Sequence, residues 1–351
     1  MVDHGRGTRG GGHDEPDDEG QDDDGKGGDP RSAFAYVLLC HVDPEVVLRT
    51  VRRVRELSPG AHVLVRHSQG SGFLDAATAA AAGAELLVSR TQIRWGTAST
   101  LDAVHEALAE AERRWRPGHT VVVSGQDHPV RDLAAWEAHV RREGHDALLR
   151  RDPRGYEDRH GMCWHALPTW ADRLRPLLAV AHRATRAEPV RRALLVQEAG
   201  GRTWVLAHAR HRTPPVPYRK GSLWMTVSHR AVARLLATDA RTRAFFASTL
   251  LPDEAFAHSV LAAAPGLRLV DAVTSMTFFP PGGGPHPRAV EAGDLAQVRA
   301  SGAPFARKVV AGVSDGFVRL VDAAVDAERA LTAEPARAAE PARAAGPRAS
   351  R

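Results

Sequence analysis

From residue 35 onward, apolar positions recur in two alternating patterns. Short continuous runs at 36–41 (YVLLCH), 62–67 (HVLVRH), 85–89 and 120–124 (TVVVS) are too short for helices and rich in branched side chains, which predicts buried strands. Between these runs the apolar residues move to helical spacing. In 44–57, Val46, Val47, Val51, Val54 and Leu57 line one face behind a proline at the first position. Helices are likewise predicted at 75–82, at 99–114 with Ser99 as the cap, and at 131–143. Strand–helix alternation with short connections predicts an α/β fold, with a mainly parallel central sheet flanked by helices. Ligands on such sheets gather at the carboxyl ends of the strands. His41-Val42-Asp43, the segment after His67, and Ser124-Gly125-Gln126-Asp127 therefore fall along one expected pocket edge.

The second half is less regular. Helices are predicted at 168–184, 228–237, 253–263, 294–301 and 315–331, and strands at 203–209, 223–227 and most of 267–279. A Gly/Pro loop occupies 280–287, and nothing between 32 and 331 reads as a linker, so residues 32–331 are expected to form one catalytic domain. The ends lack any such pattern. Residues 1–31 are mostly Gly, Asp and Glu, and 333–338 and 339–344 both read AEPARA, so 1–31 and 332–351 are expected to be disordered tails.

Charge changes this picture modestly. Residues 1–31 hold 10 acidic and 4 basic residues, so with a net charge of +5 for the whole chain the remainder carries +11. That surplus fits either an Arg-rich surface or an anionic partner. No recognition helix, zinc spacing or basic run interleaved with aromatics is present, so nucleic acid is not expected, while small phosphorylated ligands fit. The two cysteines, Cys40 and Cys163, sit in or beside apolar runs without metal or redox spacing, which predicts buried free thiols and a cytoplasmic setting. No apolar stretch approaches the ~20 residues of a membrane span.

Several motifs are matches in form alone. Gly5–Gly10 fits G-x-G-x-x-G, but no strand precedes it and no helix follows. Asp22-Asp23-Asp24 fits the D-x-D metal motif but lies in the same acidic head, and residues 32–351 contain no D-x-D. His208 and His211 have no carboxylate companion and read as a surface strand end, so no metal site is expected. Taken locally, Pro252-Asp253-Glu254 is an acidic helix start of an ordinary kind.

Five further segments run in order from residue 36 to residue 308. They are YVLLCHVD at 36–43; Arg94-Trp95-Gly96 with Ser99; SGQDHP at 124–129; Gly221-Ser222 with Trp224, followed later by Leu251-Pro252-Asp253-Glu254; and His286-Pro287-Arg288, Ala292-Gly293-Asp294-Leu295 and Phe305-Ala306-Arg307-Lys308. Together they resemble the core-2/I-branching family, the β-1,6-N-acetylglucosaminyltransferases and peptide O-xylosyltransferases of glycosyltransferase family fourteen. The resemblance implies a GT-A-like nucleotide-sugar-binding form of the α/β fold. It also implies an inverting, metal-independent transfer of GlcNAc or xylose from a UDP-sugar to the hydroxyl of a carbohydrate or other acceptor.

On this resemblance Glu254 is the general base, which removes the acceptor proton as the oxygen attacks the anomeric carbon. Arg288 and Lys308 take the place of a metal at the departing diphosphate. Asp127 is the donor-side aspartate, bonding a sugar hydroxyl or capping a turn. His41 and Trp95 fall on the donor side, and Trp224 and Phe278 on the acceptor side; the two tryptophans either stack on sugars or fill the core. No cofactor is implied. Two departures limit the inheritance: Arg66-His67-Ser68 lacks the aspartate expected at the end of the second strand, and the acceptor-facing aromatic segment reads Thr277-Phe278-Phe279. Animal members carry a membrane anchor and several disulfides, so this chain fits a bacterial-type version. The rival readings are an inactive nucleotide-sugar-binding relative and a basic nucleic-acid-binding protein.

Overall fold

The computed structural model describes residues 33–41, 43–69, 74–153, 157–199, 203–210, 212–282 and 286–338. The acidic head with its two formal motifs, His211, and the second AEPARA copy lie outside the described residues. In chain order the first strands are β1 (Phe34–Leu39), β2 (His62–Ser68), β3 (Glu85–Ser89), β4 (His119–Ser124), β5 (His128–Pro129) and β6 (Ala147–Arg151). They are followed by β7 (Met162–Ala166), β8 (Leu194–Ala199), β9 (Thr203–Ala209), β10 (Gly221–Ser228), β11 (Leu269–Val270), β12 (Ser275–Thr277) and β13 (Phe305–Arg307).

Seven strands form the central sheet in the order β11-β6-β10-β4-β1-β2-β3. The pairs β1–β2, β1–β4, β2–β3 and β6–β11 are parallel, and β10 runs antiparallel between β4 and β6. This is the mainly parallel, helix-flanked α/β sheet that the alternation predicts. Alternation within β1 builds both cores. Phe34, Tyr36 and Leu38 pack on one face with the helices Pro44–Leu57 and Asp315–Ala338; Ala35, Val37 and Leu39 pack on the other with Ala98–Trp115, His229–Leu236 and Phe256–Ala262.

The helices Pro44–Leu57 and Asp315–Ala338 are also tied by charge. The buried Arg53 guanidinium pairs with Asp322 at 2.9 Å and Asp326 at 2.7 Å, Arg49 meets Asp315 at 3.1 Å, and His128 meets Asp322 at 2.9 Å. The closing helix runs to Ala338, through the first AEPARA copy that the sequence reading assigned to the tail. Alanine, arginine and glutamate favour helix, and Pro335 lies near its last turn, beyond the stretch that packs on Arg53.

Two smaller sheets surround the carboxyl ends of the parallel strands. β12-β13-β5 extends the rim beyond β4. The antiparallel sheet β7-β9-β8, of which only β9 is predicted, carries Met162 and Trp164 toward Leu250 and Leu251 in a third apolar cluster. Both cysteines are buried free thiols. Among the described residues no helix is long and apolar enough to cross a membrane.

Candidate active site

The segment around Glu254 departs from the continuous helix expected at 253–263. Leu251 has a φ of 52°, in the left-handed region, and turns the chain into a 3₁₀ turn at Pro252–Glu254; the α-helix begins only at Phe256. The helix N-terminus is thus not what holds the Glu254 carboxylate. Instead Oε2 accepts a hydrogen bond from Arg159 Nη1 at 2.9 Å and lies 3.3 Å from Lys220 Nζ, which also contacts Asp152 Oδ2 at 3.0 Å. Oε1 accepts no hydrogen bond among the described residues, and the side chain is partly exposed. One oxygen is thus held by two cations, and the other has no hydrogen-bond partner among the described residues.

Asp253 behaves differently from its neighbour. It is buried, its Oδ1 has no partner among the described residues, and burial followed by repulsion from Glu254 pushes its pKa up to about 7. Between about pH 4 and pH 7 the folded chain therefore holds a proton that the unfolded chain releases, so this group's contribution to stability falls as pH rises through that window. Asp253→Asn is expected to flatten this part of the stability profile and to make the protein more stable than wild type near pH 8. Denaturant melts across the range check this; an unchanged slope would sink the assignment.

Two glycines of the quoted segments are required by close approach. A Cβ on Gly221 would lie 2.0 Å from His258 Cε1 and 2.3 Å from the Arg150 carbonyl oxygen. One on Gly125 would lie 2.6 Å from Cys40 Sγ and 2.7 Å from Val47 Cγ2. These contacts seat the start of β10, with Lys220 before it, and the turn after β4 against the rim.

Of the residues expected on the donor side, His41 follows β1 and Lys308 follows β13, and the structure brings these two together. Crowding by surrounding atoms, then the charges of Lys308 and Arg307, hold the His41 pKa below its ordinary value although solvent reaches the ring. Among the described residues Lys308 forms no ion pair, whereas Arg288 is gripped by Asp294 through two bonds of 2.6 and 2.7 Å and stacks over Phe278 at 4.9 Å. Of the two cations expected at the diphosphate, Lys308 is available and Arg288 is already paired.

Asp127 is fully buried. Its Oδ1 accepts from Ser275 Oγ and its Oδ2 from the Ser124 backbone N–H, with Arg307 Nε 3.8 Å away. Burial pushes its pKa up to about 6 against the pull of Arg307. Of its two expected roles, the turn cap is the one the structure displays. Phe278, expected on the acceptor side, is instead buried in the core beside Phe305 and Val290, and its neighbour Phe279 is exposed. Adjacent residues of an extended segment face opposite ways, so only one of the two aromatics can face solvent.

Arg307, like Arg159 and Lys220, is a site residue that the sequence does not single out. Its guanidinium lies 4.5 Å over the Trp224 ring and beside Asp127, joining β10 to the turn after β4. Arg307→Met should cost about 3 kcal/mol of stability near neutral pH by leaving the buried Asp127 carboxylate without its cation; chemical denaturation measures this, and a loss under ~0.5 kcal/mol would refute it. Trp95 packs against the Leu250–Leu251 cluster, its ring centroid is 6.2 Å from that of His286, and Gly96 O accepts from Leu251 N at 3.0 Å. At the end of β2, where the aspartate is missing, the buried Arg66 bonds Thr91 O at 2.7 Å and pairs with Glu106 at 3.3 Å.

A cavity of about 510 Å³ lies elsewhere. Cys163 and His165 point into it from the face of β7 opposite Met162 and Trp164, joined by His208, Arg210, Arg212 and Arg241. His165 and His208 stack with their Nε2 atoms 3.2 Å apart. Among the described residues no group of three His, Cys, Asp or Glu side chains could hold a metal ion.

No family model and no curated protein matches the chain. Partial likeness to solved structures exists. One is described as a glucose-1-phosphate thymidylyltransferase from Bacillus anthracis in complex with sucrose, at 7% identity and TM-score 0.29, covering 60% of this chain and 77% of that one. Another, a mycobacterial protein, is 18% identical at TM-score 0.25, and the match spans 57% of this chain and 59% of that one. Likeness this partial leaves the side-chain geometry as the ground for a functional reading.

Proposed function

We propose that the chain is an inverting, metal-independent glycosyltransferase that moves a sugar, GlcNAc or xylose, from a UDP-sugar to an acceptor hydroxyl. The observation that carries this reading is the held carboxylate at Glu254, whose Oε2 is fixed by Arg159 and Lys220 while Oε1 remains for a substrate. Such a base takes the acceptor proton as the oxygen attacks the anomeric carbon, the new C–O bond forms, and the bond to the diphosphate breaks. β10 links this base to the donor side, since Lys220 immediately precedes the strand that carries Trp224, which touches Arg307. Lys308, which forms no ion pair among the described residues, meets the leaving diphosphate, and Arg288 would join it only by loosening its grip on Asp294. The absence of D-x-D from residues 32–351 supports a cationic rather than metal-assisted departure.

The test is a transfer and donor-hydrolysis assay over a panel of sugar nucleotides, with and without EDTA. Activity with UDP-sugars that survives EDTA is expected. Abolition by EDTA would overturn the metal-independent part, and nucleotide-sugar binding without turnover would identify an inactive relative.

A further inference from the structure

Among the described residues, twelve large hydrophobic side chains are exposed, and six of them fall in one segment: Trp170 at 61%, Leu174 at 42%, Leu177 at 66%, Val180 at 56%, Val190 at 44% and Leu194 at 39%. The first four are spaced by four, three and three residues across the 3₁₀ turn Thr169–Leu174 and the helix Arg175–Thr185, which places them along one outer stripe. The inner face of that helix is already committed. His182 Nδ1 lies 2.7 Å from the Val196 carbonyl oxygen, and Thr185 Oγ1 accepts from Val196 N at 3.0 Å, so β8 fixes the helix and the fold itself leaves the stripe uncovered.

The border of the stripe carries a positive surplus, six arginines against three carboxylates over residues 169–199. Arg173, Arg183, Arg186 and Arg191 are exposed and, among the described residues, make no ion pair; Asp172 and Glu198 are taken by Arg175, and Glu188 by Arg192. We infer that this face is a docking surface for an anionic lipid bilayer, with the Trp170–Val180 stripe entering the headgroup boundary and the arginines meeting lipid phosphates. An exposed tryptophan and aliphatic stripe on a short helix, edged by arginines, is the combination that lies in a membrane interface rather than across it.

Two other occupants fit less well. A twofold contact with a second copy would set the arginine border against itself. The acidic head, residues 1–31, complements the charge but offers only Met1 and Val2 as large apolar side chains, too few to cover the stripe. The inference stands apart from the transferase reading, and its test needs no activity.

The full chain would be sedimented with vesicles of phosphatidylcholine alone and of phosphatidylcholine with about one-third phosphatidylglycerol. Partition into the anionic vesicles, lost from the neutral ones and weakened by salt of about 0.5 M, is the expected result. The double variant Leu177→Glu, Val180→Glu should lower the partition coefficient at least tenfold, and Arg183→Gln with Arg191→Gln several-fold. All four positions are exposed, so unchanged circular dichroism melts confirm the fold. No partition into anionic vesicles, or equal partition by the leucine–valine variant, would overturn the inference. So would a concentration-dependent dimer that this variant dissolves, which would assign the face to a second copy.

Discussion

Glu254→Gln is expected to lower kcat for sugar transfer by roughly a hundred- to ten-thousand-fold, the range a positioned general base contributes. The amide keeps the size of the side chain and can still accept from Arg159 and Lys220 through its oxygen, so fold and donor binding should be largely retained. What it loses is the ability to take a proton at the other position. Steady-state kinetics beside a UDP titration separates the two effects: kcat falls while the nucleotide dissociation constant stays within about threefold. Full activity in this variant would remove the base assignment. The adjacent Asp253→Asn serves as a control, since that side chain is buried and faces the hydrophobic interior near Leu101 and Phe256.

Lys308→Met carries the second large effect. A methionine preserves most of the stem length but places no charge where the diphosphate departs. Loss of one preorganised charge contact costs roughly a hundred- to a thousand-fold in kcat. Because the same ammonium attracts the ground-state diphosphate, UDP affinity should also weaken, unlike in the Glu254 variant. Calorimetric titration of UDP reads this directly. If Lys308→Met left both quantities intact while Arg288→Met abolished turnover, the paired guanidinium rather than the free ammonium would be the diphosphate contact. Release of the Lys308 charge should also let the His41 pKa rise, since that charge is among those depressing it.

The first half of the fold was legible because its strands are continuous apolar runs and its helices keep strict spacing. β3 matches its expected bounds, and β1, β2 and β4 differ from theirs by one or two residues. The helix expected from Ser99 starts at Ala98 with Thr97 as its cap, since Thr97 accepts from the Ser99 amide. Segments such as Ala147–Arg151 and Met162–Ala166 were not read as strands. Each mixes apolar residues with Arg or His on faces that look toward a rim or a cavity, so alternation carries no clear inside and outside. β10 is expected as a strand, but no local signal could reveal that it runs antiparallel, which is what brings Lys220 rather than Ser228 to the rim beside Glu254.

The candidate site shows the same division. Glu254, Lys308 and His41 were named from their segments, yet the residues that hold Glu254 were not. Arg159 is 95 residues away in sequence and Lys220 is a lone cation in an Arg-rich chain, so neither stands out before folding. Arg307 lies inside the same segment as Lys308, but nothing local says which of the two cations reaches the buried aspartate.

The contact between Arg53 and Asp326 joins residues 273 positions apart. During synthesis at roughly 5–20 residues per second, the first helix must therefore wait on the order of tens of seconds for the last one to leave the ribosome. Until then a buried-site arginine and the apolar face beside it have no partner. The approach of Lys308 to His41 is completed only in the same final interval. A nascent chain is thus expected to carry this half-built face through most of its synthesis, and the first helix gains its final partner late rather than as the sheet is laid down.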